Sequence, residues 1–181
     1  MDDIWHYVRV YNLMDYKFCR NLIHQYENDD QWQKHFWYSH GEKSQYEDKE
    51  LDVRFSTASA ELDPYINKAL DLYCEEVDIE HRDLRSSIRE WSTPRLNRYN
   101  EGTMMREHAD LIRRHKRDGV PVLSLVGQMN DGYEGGEFMM RGEQLHLQTG
   151  DILVFPSTFI YPHEVREITQ GSRWSWVVWA Y

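Results

Sequence analysis

Apolar residues in the first half of the chain recur with the spacing of helices. They fall at three- and four-residue intervals over residues 13–27 and again over residues 59–76, which predicts two amphipathic helices. Asp15 stands where the N-cap of the first helix is expected. Weak alternation over residues 4–12 predicts a first strand. Residues 29–52 are polar and aromatic, and we expect them to form a loop that covers another part of the protein.

From about residue 85 the pattern changes to short apolar or alternating segments separated by turn residues. Strands are predicted over residues 85–91, 94–99, 104–110, 120–129, 137–140, 144–147, 151–155, 161–167 and 173–181. Many short, closely spaced strands are typical of a sandwich or barrel. We therefore predict a mainly β fold in one domain, residues 1–181. Residues 1–84 would supply supporting helices packed on one face and a covering loop, and residues 85–181 would supply the β-core.

Composition narrows the functional classes. The chain has 181 residues, of which 40% are hydrophobic, and this content suits one domain with a substantial core. A net charge of −10 disfavours non-specific nucleic-acid binding. No apolar run approaches the ~18 residues of a membrane span, and residues 1–5 lack an apolar signal, so a cytoplasmic protein without membrane contact is expected. Cys19 and Cys74 form no C-x-x-C pair, which disfavours a zinc-thiolate site.

Two histidines and an aspartate form a candidate metal site. His108 and Asp110 lie two residues apart in a predicted strand, so both side chains would leave the same face. His163, from a distant strand, would complete a set of two imidazoles and one carboxylate. Such a set is typical of non-haem Fe(II) oxygenases, although Zn(II), Co(II), Ni(II) and Mn(II) accept the same donors. Because the chain has nine histidines, the H-x-D triplet by itself is weak evidence and could be structural.

The last predicted strand places polar groups on an inward face. Arg173 and Ser175 share that face with Val177 and Trp179, while the intervening residues face the other way. A buried guanidinium is costly unless an anion pairs with it, and a carboxylate matches its planar geometry. Either an internal Asp or Glu or an anionic ligand would satisfy this requirement.

In this order, the H-x-D triplet, His163 and the pair Arg173-x-Ser175 resemble the 2-oxoglutarate- and Fe(II)-dependent oxygenases. Four further segments are similar to the prolyl 4-hydroxylase branch: LNRYNEG at 96–102, GGEF at 135–138, GDILVFP at 150–156 and GSR at 171–173. The resemblance covers about residues 96–181. It implies a double-stranded β-helix, which is a distorted jelly roll, with the metal at its mouth.

The resemblance also implies roles for individual residues. The residues that would bind Fe(II) and form the catalytic centre are His108, Asp110 and His163. The residues that would bind or adjoin 2-oxoglutarate are Arg173, Ser175, Tyr99 and Gln128. Tyr99 could instead be an ordinary core aromatic. Fe(II), 2-oxoglutarate and O2 are the implied cofactors and co-substrates, with ascorbate as a candidate accessory reductant.

The resemblance implies a dioxygenase that couples oxidative decarboxylation of 2-oxoglutarate to hydroxylation of a C–H bond. A prolyl or other side chain of a protein or peptide is the first expectation for its substrate. The alternatives are a free amino acid or small molecule, a cupin-like metal protein that is not an oxygenase, and a degenerate barrel used as an interaction module. Where many collagen-type prolyl hydroxylases have Lys, this chain has Arg173, so the substrate stays open, as does the choice between monomer and homodimer.

A run of basic residues follows the H-x-D triplet. Residues 113–117 read RRHKR within an otherwise acidic chain. A solvated loop is the simpler interpretation, and a loop that grips the substrate is the alternative. His115 is not expected to be a ligand, because its odd offset from His108 points it to the other face of an extended chain.

Overall fold

The computed structural model describes residues 4–39, 42–44, 49–77, 83–111 and 119–181. Its main helices are α1 (Tyr16–Tyr26) and α2 (Ser59–Val77), as the apolar spacing predicts. Asp15 caps α1, because its side chain accepts a hydrogen bond from the Phe18 backbone N–H at 2.8 Å.

Most of the other elements are strands. In the described ranges they are β1 (Arg9–Asn12), β2 (Gln33–Lys34), β3 (Trp37–Ser39), β4 (Glu42–Ser44), β5 (Asp52–Phe55), β6 (Arg95–Tyr99), β7 (Met105–His108), β8 (Leu123–Gln128), β9 (Glu134–Gly135), β10 (Phe138–Met140), β11 (Glu143–Leu145), β12 (Asp151–Pro156), β13 (His163–Val165), β14 (Ile168–Gln170) and β15 (Arg173–Ala180).

Two antiparallel sheets form the core of the fold. The larger sheet has the strand order β1-β12-β8-β15-β6-β5-β2, and the smaller one has the order β11-β10-β13-β7. The two outermost pairs, β14-β9 and β3-β4, are separate ribbons. Three strands of the larger sheet, β1, β2 and β5, come from the N-terminal half of the chain, which therefore supplies strands as well as helices.

Side chains on alternate positions of β15 separate two hydrophobic clusters. Trp174, Trp176 and Val178 pack with α1 and α2 on one face of the larger sheet. Val177 and Trp179 point between the two sheets. This alternation confirms the two faces that the sequence predicts for β15. The helices α1 and α2 pack on the face that carries Trp174, Trp176 and Val178. The inward-facing side chains of β15, which include Arg173 and Ser175, therefore lie in the space between the sheets, away from the helices.

Two predicted strands differ from the structure. Residues 85–91 are not a strand: the chain forms a short helix, α3 (Leu84–Ser87), whose Arg85 donates to Asp71 and Asn67 of α2. Only the end of the segment pairs as predicted: Trp91 forms an isolated antiparallel bridge with Ala180, and the Arg89 backbone N–H donates to the Tyr181 carbonyl at 3.0 Å. Residues 4–12 begin with a 3-10 helix (Ile4–Tyr7) before β1. None of the helices in the described ranges has the length and apolar content to cross a membrane.

Candidate metal centre and adjoining cavities

Strand pairing brings the three predicted metal ligands together. His108 ends β7 and His163 begins β13, and these two residues are direct partners in the antiparallel pair. Asp110 follows β7 by two residues, with its carboxylate oxygens 3.5 Å from His108 Nε2 and 3.7 Å from His163 Nε2. One potential ligand atom from each residue lies within 4.8 Å of the others. The three side chains therefore form a compact site that can hold one metal ion.

Backbone carbonyls fix the orientation of both imidazoles. His108 Nδ1 lies 2.9 Å from the Arg106 carbonyl oxygen, and His163 Nδ1 lies 3.1 Å from that of Tyr161. Because a carbonyl oxygen only accepts hydrogen bonds, each Nδ1 carries the proton. Each Nε2 is therefore unprotonated, and its lone pair can bind a metal. Such contacts to the second ring nitrogen are typical of metal-binding histidines.

The electrostatics of the site favour the ligand forms of these groups. Burial alone would raise the pKa of Asp110, but His163, His108 and a hydrogen bond from Ser124 together hold it well below its usual range. Burial lowers the pKa of His163 to about 4, assisted by His108 and opposed by Asp110. At neutral pH the site therefore presents an ionised carboxylate and a neutral buried imidazole, which are the forms that bind metals.

An inner cavity between the sheets contains Arg173. Arg173 is 1% exposed and pairs in register with Tyr99 of β6, over whose ring its guanidinium lies at 5.2 Å. Its Nη1 is 3.4 Å from the Ser175 hydroxyl, a long contact. Within the described part of the chain, Arg173 Nε and Nη2 are buried without a hydrogen-bond partner. No described Asp or Glu neutralises this guanidinium through an ion pair, so the internal pairing considered from the sequence is not found there.

These observations fit a carboxylate ligand. Two unpaired N–H groups of a buried guanidinium are costly in a closed protein and match the two oxygens of one carboxylate. His108, Asp110, His163 and Arg173 line the same inner cavity, so a ligand held by Arg173 would extend toward the metal site. The cavity is narrow, about 30 Å³, and entry of a five-carbon diacid requires its lining side chains to move apart.

A second cavity of about 260 Å³, here called the outer chamber, shares His108 and Asp110 with the inner cavity. His35, Phe36 and Trp37 form one wall, and Trp179 and Arg95 contribute to the lining. The three wall residues belong to the polar and aromatic stretch, residues 29–52, for which the sequence predicts a covering role. This part of the stretch lies directly over the metal site.

A buried carboxylate holds this wall in place. Glu50 is 4% exposed; its Oε1 accepts from Trp37 Nε1 at 2.8 Å, and its Oε2 lies 3.2 Å from His35 Nδ1. Trp37 in turn contacts the His108 ring edge to face, with ring centroids 5.3 Å apart. The cover is therefore tied to the metal ligand through one carboxylate and one indole.

Gln128 and the basic run at 113–117 are the remaining residues for which the sequence suggests a role. Gln128 is opposite Ser175 in the sheet, but its amide donates to the Asn130 carbonyl and to Tyr133 Oη at 3.1 Å, and it does not line the inner cavity. Its Oε1 is buried without a partner among the described residues. Its role stays a prediction. The basic run at 113–117 lies outside the described residues.

Sequence reasoning missed several residues of the site. Asn97 and Arg95 line the inner cavity from β6. Because they alternate with Tyr99 along one strand, the sequence could have placed all three on the same face. No local pattern marks Glu50 or Ser124. Glu50 contacts Trp37, and Ser124 contacts Asp110, only because separate segments of the chain pack together.

Comparison with known sequences finds similarities in the C-terminal half of the chain. Residues 94–181 match the family model described as the 2OG-Fe(II) oxygenase superfamily. A PKHD-type hydroxylase of Methylobacterium nodulans is 35% identical over 99 residues, which cover 48% of this chain and 42% of that protein. A PKHD-type hydroxylase of Burkholderia ambifaria is 30% identical over 95 residues, covering 48% and 41%. The matched region thus spans about two fifths of the length of these relatives.

Comparison with solved structures extends over nearly the whole chain. A Pseudomonas putida prolyl-4-hydroxylase has a TM-score of 0.67 at 18% identity and covers 97% of this chain and 92% of its own. A prolyl hydroxylase from Trichoplax adhaerens, in complex with a hypoxia-inducible-factor peptide fragment, has a TM-score of 0.72 at 13% identity, covering 97% and 84%. These likenesses establish the fold, and the resemblance inferred from the sequence is confirmed: the chain has the double-stranded β-helix of the prolyl hydroxylases, and residues 94–181 match the model of the 2OG-Fe(II) oxygenase superfamily, a match that implies Fe(II) and 2-oxoglutarate as cofactors.

Proposed function

We propose that the protein is an Fe(II)- and 2-oxoglutarate-dependent dioxygenase that hydroxylates a C–H bond of its substrate. His108, Asp110 and His163 would bind the metal, and Arg173 would bind the distal carboxylate of 2-oxoglutarate with the help of Ser175. The observation that carries the proposal is Arg173: a buried guanidinium with two unpaired N–H groups lines the same cavity as the three potential metal ligands. A cupin-like metal protein without a diacid ligand has no use for this cation.

The chain's own residues prepare the reaction. His108, Asp110 and His163 would hold the metal, and a set of two imidazoles and one carboxylate would leave room for further ligands. When bound, Fe(II) with 2-oxoglutarate and O2 supplies the oxidising chemistry that replaces the C–H bond by C–OH. Arg173 fixes the far end of the co-substrate, and the apolar side chains between the sheets exclude bulk water. The cover residues Phe36 and Trp37 would close the opposite side and meet the substrate.

We infer that the substrate is a prolyl or other uncharged side chain of a protein or peptide. The outer chamber is lined by aromatic rings and adjoins His108 and Asp110, so it can hold one side chain next to the metal. Burial, together with Arg95, His108 and Arg106, lowers the pKa of His35 in its wall to about 3, so that this imidazole is neutral at physiological pH. A lysyl side chain would meet the charge of Arg95 in the chamber lining, whereas a prolyl ring carries no charge. The Trichoplax adhaerens neighbour holds a peptide, which supports a substrate of this kind.

The test of the cofactor assignment is an anaerobic titration of the metal-free protein with Fe(II) and then with 2-oxoglutarate. The chelated keto acid is expected to produce a visible charge-transfer band. His108→Ala should lose the band because it lacks a metal ligand. Arg173→Ala should retain it only at higher 2-oxoglutarate concentration. Iron binding without any band in the parent protein would reject the proposal.

The substrate class requires a separate measurement. Proline-containing peptides, lysine-containing peptides and free proline are each incubated with the loaded enzyme and analysed for gain of one oxygen atom by mass spectrometry. Oxygen gain in prolyl peptides is the expected result. Hydroxylation of free proline alone would favour the alternative of a small-molecule oxygenase, with the cofactor assignment intact.

A further inference from the structure

A chain of two serine hydroxyls leads from the interior of the larger sheet to the carboxylate of Asp110. Ser124 Oγ donates to Asp110 Oδ2 at 2.7 Å, and Ser157 Oγ lies 2.7 Å from Ser124 Oγ. Both serines are 0% exposed and Asp110 is 3% exposed. Three polar side chains are thus joined in a place where unsatisfied groups are costly.

The direction of these hydrogen bonds follows from the donors available. The ionised carboxylate only accepts, so the single hydroxyl hydrogen of Ser124 points to Asp110 Oδ2. Ser124 therefore has no hydrogen left for Ser157, and Ser157 must donate to Ser124. The result is a one-way chain from Ser157 through Ser124 to Asp110.

Strand pairing fixes both serines. Ser124 lies on β8 between its register partners Phe155 of β12 and Trp179 of β15. The Ser157 backbone N–H donates to the Val122 carbonyl at 3.0 Å, which anchors the end of β12 beside β8. The hydroxyl chain is therefore held by the rigid centre of the larger sheet rather than by a loop.

The two carboxylate oxygens of Asp110 have different surroundings. Oδ1 lies 3.5 Å from His108 Nε2, whereas Oδ2 lies 3.7 Å from His163 Nε2 and also accepts the Ser124 hydrogen bond. Without Ser124, both oxygens would be available to one ion in a bidentate mode. With it, Oδ2 is already engaged and Oδ1 is left as the better donor.

We propose that Ser124 is a positioning residue that restricts Asp110 to binding the metal through Oδ1 alone, and that Ser157 orients Ser124 for this task. The proposal rests on the proposed function, since it takes His108, Asp110 and His163 as metal ligands. A single bond from Asp110 keeps a coordination position open, which a chelating co-substrate needs. The two serines thus act on the metal through the carboxylate and touch neither metal nor substrate.

The test uses Ser124→Ala, which removes the hydroxyl and almost no volume. Mn(II) affinity of the metal-free protein is measured by electron paramagnetic resonance, and the Co(II)-loaded protein is examined by visible absorption. Loss of a hydrogen-bonding partner to a metal ligand typically weakens metal affinity about 10–100-fold, and we expect a loss in that range. The Co(II) spectrum should also shift, because the number of oxygen donors changes. Ser157→Ala should give a smaller loss, since Ser124 keeps its own hydrogen bond.

Two further variants separate positioning from general destabilisation. Ser124→Thr keeps the hydroxyl and should restore the parental Co(II) spectrum. Ser56→Ala removes another buried serine hydroxyl, one that contacts Tyr26 on the helical side, and should leave Mn(II) affinity unchanged. If Ser124→Ala fails to fold, Ser157→Ala carries the test alone.

The outcomes distinguish this inference from the proposed function. The positioning role would be overturned if a folded Ser124→Ala protein kept the Mn(II) affinity and the Co(II) spectrum of the parent. If only Ser157→Ala folds, the same result in that variant would overturn it. In both cases the metal site itself would still stand. Absence of Mn(II) and Co(II) binding in the parent protein would overturn both.

Discussion

At the scale of single residues, Arg173 carries the strongest functional signal. A buried cation with unpaired N–H groups lowers the stability of a protein unless a ligand compensates for it. The contact with the Tyr99 ring offsets part of this cost. Arg173 is therefore a residue where stability and ligand binding are expected to oppose each other.

This opposition can be measured with Arg173→Met, which keeps the length of the side chain and removes the charge. Without ligands, the variant should be more stable than the parent by about 1–4 kcal/mol, the range seen when buried ion pairs are replaced by apolar groups. Its affinity for 2-oxoglutarate should fall, because hydrogen bonds to charged groups contribute about 1.5–3 kcal/mol. Thermal unfolding without metal and isothermal titration with 2-oxoglutarate measure the two effects. A variant that is less stable than the parent would show that Arg173 has an internal structural partner.

At the scale of elements, the cover over the metal site depends on one carboxylate. Trp37 Nε1 and His35 Nδ1 both approach Glu50, one at each oxygen. In Glu50→Gln only one acceptor oxygen remains, so one of these donors loses its partner. We expect the segment 33–37 to open more readily and its amide hydrogens to exchange about 10-fold faster, corresponding to about 1.4 kcal/mol. Mass-spectrometric hydrogen exchange checks this result.

The matched control for this measurement is Glu76→Gln, which removes a surface pair with Arg9. It should leave exchange of the cover unchanged, since Arg9 and Glu76 lie on β1 and α2. Equal exchange of the cover in Glu50→Gln and in the parent would mean that the apolar contacts of Trp37 suffice to hold it.

Low pH should make segment 33–37 open more readily, because His35 in this segment can then take up a proton. Burial, with smaller effects of Arg95, His108 and Arg106, lowers the pKa of His35 from 6.5 to about 3, although Glu50 lies 3.2 Å away. Between these two pH values the open or unfolded state binds a proton that the closed state does not, so closure weakens as pH falls. Above pH 6.5 both states are neutral and the dependence disappears. Exchange of segment 33–37, corrected for the intrinsic rate, should show this slope in the parent and not in His35→Gln.

At the scale of the whole molecule, the residues proposed to bind the metal and the co-substrate come from both sheets. His108 and His163 belong to the smaller sheet, whereas Arg173 and Tyr99 belong to the larger one. A ligand that contacts both sheets stabilises the entire domain by mass action. One cooperative unfolding transition is expected if residues 1–181 form a single domain.

Mn(II) with N-oxalylglycine, an unreactive analogue of 2-oxoglutarate, tests this link. At about 100 times the dissociation constant the gain is about 2.7 kcal/mol. For a domain of this size that corresponds to a Tm increase of roughly 5–10 °C. Asp110→Ala should fold and lose the increase, because it removes a ligand and not core volume. Two separate transitions, with only one responding to ligand, would argue against a single domain.

Much of the architecture is encoded locally and could be predicted. Residues 13–27 and 59–76 have the spacing of helices, and the alternation along 173–180 assigns each side chain of β15 to a face. The strand predicted over residues 85–91 was also inferred from a local pattern, and here the prediction differs from the structure. A short apolar alternation does not distinguish a strand from an amphipathic turn of helix: contacts with α2 accompany a helix at residues 84–87, whereas Trp91 pairs with Ala180 at the end of β15.

The sequence by itself determined which chemical groups are present, and two-residue spacing put His108 with Asp110 and Arg173 with Ser175. Only the tertiary structure decided that His163 pairs with His108, that Glu50 holds the cover over the metal site, and that Ser157 and Ser124 reach Asp110. The physical reason is that periodicity describes one element at a time. Contacts between distant strands depend on register and on how the sheets pack, and no local pattern of side chains records these.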